Sequence, residues 1–195
     1  MKHKTYNIVI TGVGGQGVIT LARIIAEAAL ASGYDAKMSE VHGLAQRGGH
    51  IEAHVKFGKK VYSSLVPQRG ADLIIALEPL EALMCMWYAC ARTSVLVNSQ
   101  KLVPLSIYTD KKQYPEITEI IKKIKLFTCQ IFQKDATSEV LKATGSIIPL
   151  NIYMLGAAYY ENLLPLKKEK LLDSIKNTIS PKYFELNKKV FNLSK

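Results

Sequence analysis

Apolar and polar positions follow two different periods along the chain, which predicts strands that alternate with helices. A first strand is predicted at residues 6–11, and apolar positions at helical spacing predict a helix across residues 18–29. Gly33 is expected to end this helix, and residues 35–39 are expected to form a short second strand. Residues 40–49 are mostly polar and contain glycine, so they predict a loop.

Residues 50–57 alternate strictly between apolar and polar side chains, as in a strand with two different faces. The apolar face carries Ile51, Ala53, Val55 and Phe57, and the polar face carries His50, Glu52, His54 and Lys56. A glycine and two lysines at residues 58–60 predict a turn into residues 61–65 and hence an antiparallel hairpin. The trio of His50, Glu52 and His54 is more typical of a solvated or partner-facing surface than of a metal site, although His42 is near in sequence.

The rest of the chain continues the alternation of strands and helices. Further strands are predicted at residues 71–77, 94–98 and 127–132, and further helices at residues 80–91, at 116–125 and along most of the chain after residue 137. This order indicates an α/β fold: a three-layer, Rossmann-like domain with a largely parallel sheet, a mixed hairpin insertion and a helical C-terminal region. Because no linker-like segment interrupts them, residues 1–195 are expected to form a single domain.

Composition excludes several classes of protein. No apolar stretch reaches about 18 residues without a charge or a proline, so no membrane span is expected. Basic residues 1–4 precede an apolar run, but the glycines that follow interrupt a signal-peptide pattern, and we expect a cytoplasmic protein. The three cysteines Cys85, Cys90 and Cys129 lack CxxC spacing, which favours buried, reduced thiols over an iron–sulfur cluster held by this chain alone.

The formal net charge of +10 is compatible with a nucleic acid, an acidic protein or a phosphate-bearing ligand. Much of the excess lies at residues 122–125 and 167–170, where lysines are interleaved with apolar helix positions. This arrangement favours a solvated lysine face. No aromatic RNA-binding motif, zinc-finger spacing or helix-turn-helix pattern supports binding of nucleic acid.

A glycine-rich stretch follows the first predicted strand and opens the first helix. Residues 12–17, with the sequence GVGGQG, fit the pattern G-x-G-x-x-G in the context that this motif requires. Gly12 is expected to permit the tight turn, and Gly14 the close approach of a ligand, while backbone N–H groups at the helix start favour an anion. The alternative is a tight turn packed against a neighbouring chain. Glu40 lies 28 residues after Gly12 rather than about 20, which weakens a dinucleotide-binding interpretation.

The second predicted loop contains Arg47, Gly48 and Gly49, a permanent cation beside two conformationally free residues. Loops that follow consecutive strands of a doubly wound sheet lie at the same carboxyl edge. We therefore expect Arg47 and the turn at residues 14–17 to face one crevice. The alternative is an arginine bound to a helix C-terminus or to a carboxylate at an interface.

Three stretches in this order carry a resemblance to a known family. They are IVITGVGGQGVITLARIIAEAAL, SEVHGLAQRGGHIEAHVKFG and SSLVPQRGADLIIALEPLEAL. They resemble the gamma domain of the 2-oxoacid:ferredoxin oxidoreductase family, and most closely the beta subunits of its indolepyruvate branch. The likeness continues through Asn151, Pro165 and the stretch ELNKKVF, and so spans nearly the whole chain.

The resemblance implies a role as a subunit that is inactive alone. The family converts a 2-oxoacid and coenzyme A into an acyl-CoA, carbon dioxide and two electrons for ferredoxin, and the indolepyruvate branch uses arylpyruvates. It implies that thiamine diphosphate, Mg²⁺ and [4Fe-4S] clusters belong to a larger alpha subunit in a hetero-oligomer, and that this chain binds no metal and no cofactor tightly. The motif positions implied as a coenzyme A phosphate site or a subunit contact are Gly12, Gly14, Gly15, Gln16, Gly17, Arg47, Gly48 and Gly49.

Three other functions fit the glycine motif less well. An NAD(P)-dependent oxidoreductase would need an acid placed for the ribose and a recognisable catalytic pair. An activating enzyme for ubiquitin-like carriers often has paired CxxC motifs and a reactive cysteine. The third is a non-catalytic nucleotide-binding interaction module. An NAD(P)- or nucleotide-binding Rossmann protein without a thiamine-dependent partner stays open as the alternative.

Overall fold

The computed structural model describes residues 5–42, 49–102 and 114–195. Its strands are β1 (Tyr6–Val13), β2 (Asp35–His42), β3 (His50–Gly58), β4 (Leu73–Ala76), β5 (Ser94–Asn98) and β6 (Ile131–Lys134). Its helices are α1 (Val18–Ala31), α2 (Pro79–Met84), α3 (Ile117–Ile124), α4 (Ala136–Thr144), α5 (Leu150–Tyr160), α6 (Lys168–Thr178) and α7 (Phe184–Leu193). Short 3₁₀ turns lie at Met86–Tyr88 and Pro181–Tyr183.

The six strands form one sheet in the order β2-β3-β1-β4-β5-β6. Strands β1, β4, β5 and β6 run parallel, whereas β3 is antiparallel to both of its neighbours, β1 and β2. The expected α/β fold with a largely parallel sheet is confirmed.

The expected pairing of residues 50–57 with residues 61–65 is wrong. Strand β3 instead lies inside the sheet, where β1 and β2 satisfy its backbone on both sides. Residues 61–65 contain no strand, and the N–H of Val61 donates to Asp35 Oδ2 at 2.7 Å, which returns the chain to the start of β2. Strands β1 and β2 therefore pair with β3 in place of residues 61–65.

Helices cover both faces of the sheet. Helix α1 and the C-terminal helices pack on one face, against residues such as Ile8, Ile10 and Val55. Helices α2 and α3 cover the other face, against Val9 and Ile74. The apolar positions that predicted α1 are all buried there: Val18, Leu21, Ala22, Ile25 and Ala29. No helix within the described ranges has both the length and the apolar character needed to cross a membrane.

Two element boundaries differ from the sequence expectation because local hydrogen bonds end or prolong a helix. Helix α2 begins after Glu78, whose carboxylate accepts from the N–H of Glu81 at 3.0 Å, and it gives way to a 3₁₀ turn at Met86. The N–H groups of Phe127 and Thr128 donate to the carbonyl of Ile124, so turns extend from α3 where a strand was predicted. Strand β6 starts only at Ile131.

Candidate functional site

The glycine turn connects the end of β1 to the start of α1. Its left-handed backbone falls at Gly15, with φ 103°, and at Gly17, with φ 82°. Gly17 is the N-cap of α1, no side chain caps the helix, and the first turn contains no acidic residue. The backbone N–H groups at this end are therefore not neutralised by a side chain, which suits an anionic ligand.

The expectation that Gly12 makes the tight turn is wrong. Close packing against Gln16 and Leu77, rather than the turn, explains a glycine at this position. Gly12 lies within β1, and a Cβ atom built there would stand 2.8 Å from Gln16 Oε1 and 3.1 Å from Leu77 Cβ. Any side chain would push Gln16 or the end of β4 away. The glycine that makes the turn is instead Gly15, where a Cβ would meet open space and only the positive φ disfavours another residue.

The side chain of Gln16 holds the turn in place. Its Oε1 accepts from the N–H of Val13 at 2.8 Å, and its Nε2 donates to the carbonyl of Leu77 at 3.1 Å. The same carbonyl accepts from Asn98 Nδ2 at 3.1 Å. Gln16 thus joins the carboxyl ends of β1 and β4, and Asn98 adds the end of β5.

The start of β3 meets the glycine turn directly. The N–H of Gly14 donates to the carbonyl of Gly49 at 2.9 Å, and Val13 is the register partner of His50. The expected neighbourhood of the two glycine-bearing loops is thus observed for Gly49. Arg47 and Gly48 lie outside the described residues.

Two hollows flank the ridge formed by Gly14 and Gly15. One, of about 520 Å³, lies between the first turn of α1 and β2 and includes Glu40 and Thr20. The other, of about 290 Å³, lies at the carboxyl ends of β1 and β5 and includes Lys101 among mostly apolar neighbours. Lys101 Nζ is 3.3 Å from Glu116 Oε1 on the protein surface. The second hollow therefore offers the backbone of Gly15, a lysine that is paired with Glu116, and an apolar wall.

Sequence reasoning missed the residues that complete this second hollow. Gln100 and Lys101 follow β5, Thr137 stands at the start of α4, and Ile148 precedes α5. The rule that ligands bind beyond the carboxyl ends of parallel strands could have selected residues 100 and 101 once β5 was predicted. No local sequence pattern relates Gln100 and Lys101 to Ile148, because only the tertiary fold brings these residues together at the second hollow.

The polar face of β3 is buried, contrary to the expectation of a solvated or partner-facing surface. Glu52 and His54 are almost fully inaccessible to solvent, because the segment from α2 to the 3₁₀ turn covers them. Glu52 Oε1 accepts from Tyr88 Oη at 2.7 Å and pairs with His54 Nε2 at 2.6 Å, while its Oε2 accepts from the Cys85 thiol at 3.2 Å. We call His50, Glu52, His54, Glu81, Cys85 and Tyr88 the β3 cluster.

The two histidines of the β3 cluster are oriented by different partners. His54 Nδ1 accepts the backbone N–H of Val66 at 2.9 Å, so its Nε2 carries the hydrogen that is donated to Glu52. The Nδ1 atom of His50 is in close contact with Glu81 Oε2, and its Nε2 lies 3.6 Å from Glu52 Oε2. His54 therefore donates to the Glu52 carboxylate, whereas His50 lies between Glu81 and Glu52.

Electrostatics within the β3 cluster favour a charged Glu52 carboxylate and a neutral Cys85 thiol. Burial alone would raise the pKa of Glu52, but hydrogen bonds from His50, His54, Tyr88 and Cys85 hold it well below its usual range. Hydrogen bonds to Glu52 and Glu81 raise the pKa of His50 to about 9 against the opposing effect of burial. Burial and the Glu52 charge raise the pKa of the Cys85 thiol far above its ordinary value.

Of the three cysteines, only Cys85 matches the expectation of a fully buried thiol. Cys90 is partly accessible and Cys129 is exposed, and all three are free. A [4Fe-4S] cluster is ordinarily held by four cysteine thiolates, and this chain has three, in three different environments. The residues of this chain do not fit such a cluster.

The fold and the glycine turn define a Rossmann-like α/β domain, and comparison with known proteins identifies its family. The family model described as pyruvate ferredoxin/flavodoxin oxidoreductase matches residues 7–194. The indolepyruvate oxidoreductase subunit IorB of Archaeoglobus fulgidus is 37% identical over 187 residues, which cover 96% of this chain and 92% of that protein. The chain therefore belongs to the pyruvate ferredoxin/flavodoxin oxidoreductase family, as an oxidoreductase subunit of the gamma type.

Solved structures confirm the fold. The gamma subunit of the keto/oxoacid ferredoxin oxidoreductase from Geobacter sulfurreducens is similar with a TM-score of 0.70 at 22% identity, over 97% of this chain and 95% of that one. The 2-oxoglutarate:ferredoxin oxidoreductase from Magnetococcus marinus, solved with 2-oxoglutarate, coenzyme A and succinyl-CoA bound, is similar with a TM-score of 0.72 at 18% identity. That similarity covers 99% of this chain and 31% of the longer one.

Proposed function

We propose that this chain is the non-thiamine subunit of an indolepyruvate, or related arylpyruvate, ferredoxin oxidoreductase of the cytoplasm. The proposed reaction converts a 2-oxoacid and coenzyme A into an acyl-CoA and carbon dioxide, and two electrons pass to ferredoxin. The observation that carries the proposal is the 37% identity to an indolepyruvate oxidoreductase subunit over 96% of the chain. Because the similarity covers nearly the whole of both chains, it supports an equivalent subunit rather than an unrelated protein that shares only the glycine motif.

The redox chemistry is assigned to a partner. Thiamine diphosphate, with Mg²⁺, would supply the carbanion chemistry of decarboxylation and [4Fe-4S] clusters the path for electrons, and we place all three on a larger alpha subunit. The cysteine content of this chain supports that division of labour, because three separate thiols cannot hold a cluster of the ordinary four-cysteine type. Ferredoxin would meet the complex through the partner.

The part proposed for this chain is to receive the phosphates of coenzyme A at the glycine turn. The N–H groups of Gly15 and Gly17 at the start of α1 favour an anion, whereas the N–H of Gly14 is already donated to Gly49, and Lys101 adds a cation on one side. The Lys101 side is the proposed position, because it adds this cation and an apolar wall to the backbone of the turn. The coenzyme A named in the 2-oxoglutarate enzyme of the same fold supports this class of ligand.

The remaining motif residues are proposed to hold the glycine turn in its conformation or to lie beside it. Gln16 and Gly12 keep the turn against β4, and Gly49 accepts the hydrogen bond from Gly14. Arg47 and Gly48 are proposed to add a guanidinium and a permissive backbone beside this edge. The competing explanation is that these loops only contact the partner subunit.

Steady-state kinetics of the complex, reconstituted by co-expression with the alpha subunit, tests this proposal. Replacing Gly14 with leucine is expected to raise the apparent KM for coenzyme A, because a side chain blocks the approach of the phosphates, while the KM for the 2-oxoacid changes less. Size-exclusion chromatography of the same preparation measures assembly. Lost assembly with unchanged coenzyme A dependence would assign the loops to the subunit interface and reject the phosphate site.

A further inference from the structure

We propose that His50, Glu52 and Cys85 of the β3 cluster form a binding site for a divalent transition metal, with Zn²⁺ as the expected ion. Their potential ligand atoms all lie within 4.8 Å of one another. An imidazole nitrogen, a carboxylate oxygen and a thiolate are the donors that zinc prefers in proteins. This inference is independent of the proposed oxidoreductase function, because it rests on the donors of the chain itself.

The distances between donors match those of a tetrahedral site. With zinc bonds of about 2.0–2.3 Å, two ligands of one tetrahedron stand roughly 3.3–3.7 Å apart. His50 Nε2 lies 3.6 Å from Glu52 Oε2, and Cys85 Sγ lies 3.2 Å from the same oxygen. Two of the three ligand separations are thus already close to the required values, and binding would replace the thiol proton of Cys85 and the Nε2 proton of His50.

Outer groups orient the ligands as they do in known metal sites. Glu81 contacts His50 Nδ1, so the other nitrogen of the ring is directed at Glu52. A carboxylate on the second ring nitrogen is the usual support of a metal-bound histidine. His54 and Tyr88 bind Glu52 Oε1 and leave Oε2 on the side of Cys85 and His50. The cluster therefore has both a set of donors and the groups that fix their orientation.

The buried carboxyl groups of the β3 cluster suit a bound cation. Glu52 and Glu81 are both buried, and within the described residues neither pairs with a lysine or an arginine. Binding would release one proton from Cys85 and one from His50, so the two charges of the ion would replace two positive charges and leave the net charge of the cluster unchanged. The ion therefore would not add an unbalanced charge to this buried site.

The site has one open side, toward solvent at His50, whose side chain is 27% exposed. Glu52 and Cys85 are closed off, so the ion would enter past His50 and keep a water molecule as its fourth ligand. His50 follows Gly49, which bonds to Gly14, and Cys85 belongs to the segment that covers β3. A bound ion would therefore fasten that segment to the strand beside the glycine turn.

Cobalt spectroscopy of the full chain, stripped of metal with a chelator and kept reduced, tests the site. We expect Co²⁺ to bind one to one and to give a near-ultraviolet thiolate-to-cobalt band with intense visible bands of a tetrahedral site, and Zn²⁺ to displace it. Cys85→Ser should abolish the thiolate band, and the control Cys129→Ser, at an exposed cysteine, should keep it. No saturable band in the wild type, or a band that persists in Cys85→Ser, would overturn the proposal.

A second variant guards against misfolding of Cys85→Ser. His50→Gln removes a partly exposed ligand and leaves the buried thiol, so it should keep the band but weaken cobalt binding at least tenfold. Circular dichroism without metal checks that each variant is folded. Zn²⁺ at a hundredfold excess over its wild-type Kd should raise the Tm of the wild type by about 5 °C or more, and the rise in His50→Gln at the same concentration should be about half as large or smaller. Equal cobalt affinity in His50→Gln and wild type would reject the site.

Discussion

The backbone N–H of Gly14 donates to the carbonyl of Gly49 at 2.9 Å and so joins the glycine turn to the first residues of β3. Because β3 is antiparallel to β1 and β2, its amino end lies beside their carboxyl ends, where His42 pairs with Ile51. Both ends of the segment that carries Arg47 therefore lie at the edge of the sheet where α1 begins. This connection places Gly49, the last residue of the second glycine-bearing motif, beside the glycine turn.

Replacing Gly17 with alanine should lower the free energy of unfolding by about 2–4 kcal/mol. The left-handed backbone alone costs an L-residue roughly 1–2 kcal/mol, and a Cβ would also stand 2.5 Å from Asn151 Nδ2, which adds strain. Gly33→Ala is the matched control, since Gly33 has nearly the same φ, 83°, and open space around it. Urea denaturation measures both variants. Equal losses in the two would show that Asn151 moves away without cost.

The hydroxyl of Tyr6 should make stability depend on alkaline pH. It donates to the carbonyl of Leu163, and burial, together with the charge of Asp72, raises the pKa of Tyr6 from 10.0 to about 12. The unfolded chain then loses this proton first, so the contribution is complete below about pH 10 and is lost as the pH rises toward 12. Denaturation of the wild type and of Tyr6→Phe should show a stability difference that shrinks over this range. A constant difference from pH 9 to 12 would contradict the assignment.

The sequence predicted those elements whose signals are local. The G-x-G-x-x-G pattern located the turn between β1 and α1, and helical spacing located the buried face of α1. The environment of His50, Glu52 and His54 was not predictable in this way, because alternation shows that they share a face but not what covers it. Cys85 and Tyr88, more than 30 positions away, supply that cover. Likewise, β1 pairs with β3 from 37 to 51 positions away in sequence, which local alternation does not indicate, and the other partner, β2, precedes β3 rather than following it.

In the reconstituted complex, Lys101→Ala should raise the apparent KM for coenzyme A about three- to tenfold, as expected for one half-exposed charge contact of roughly 0.7–1.4 kcal/mol. Arg47→Ala should act in the same direction, and both effects should grow at low ionic strength, where charges are less screened. Lys189→Ala, at an exposed lysine of α7 that does not line the hollow, is the control. A KM equal to that of the control at every salt concentration would exclude Lys101 from the site.

The most direct test of the account is turnover by the isolated chain and by the same chain with its alpha subunit. The assay measures ferredoxin reduction that depends on both an arylpyruvate and coenzyme A. We expect no turnover by the chain alone, because its three separate cysteines cannot hold a four-cysteine cluster, and full turnover once the two subunits form one complex. Turnover by the isolated chain, or two subunits that elute separately at micromolar concentration and give no activity together, would contradict the account.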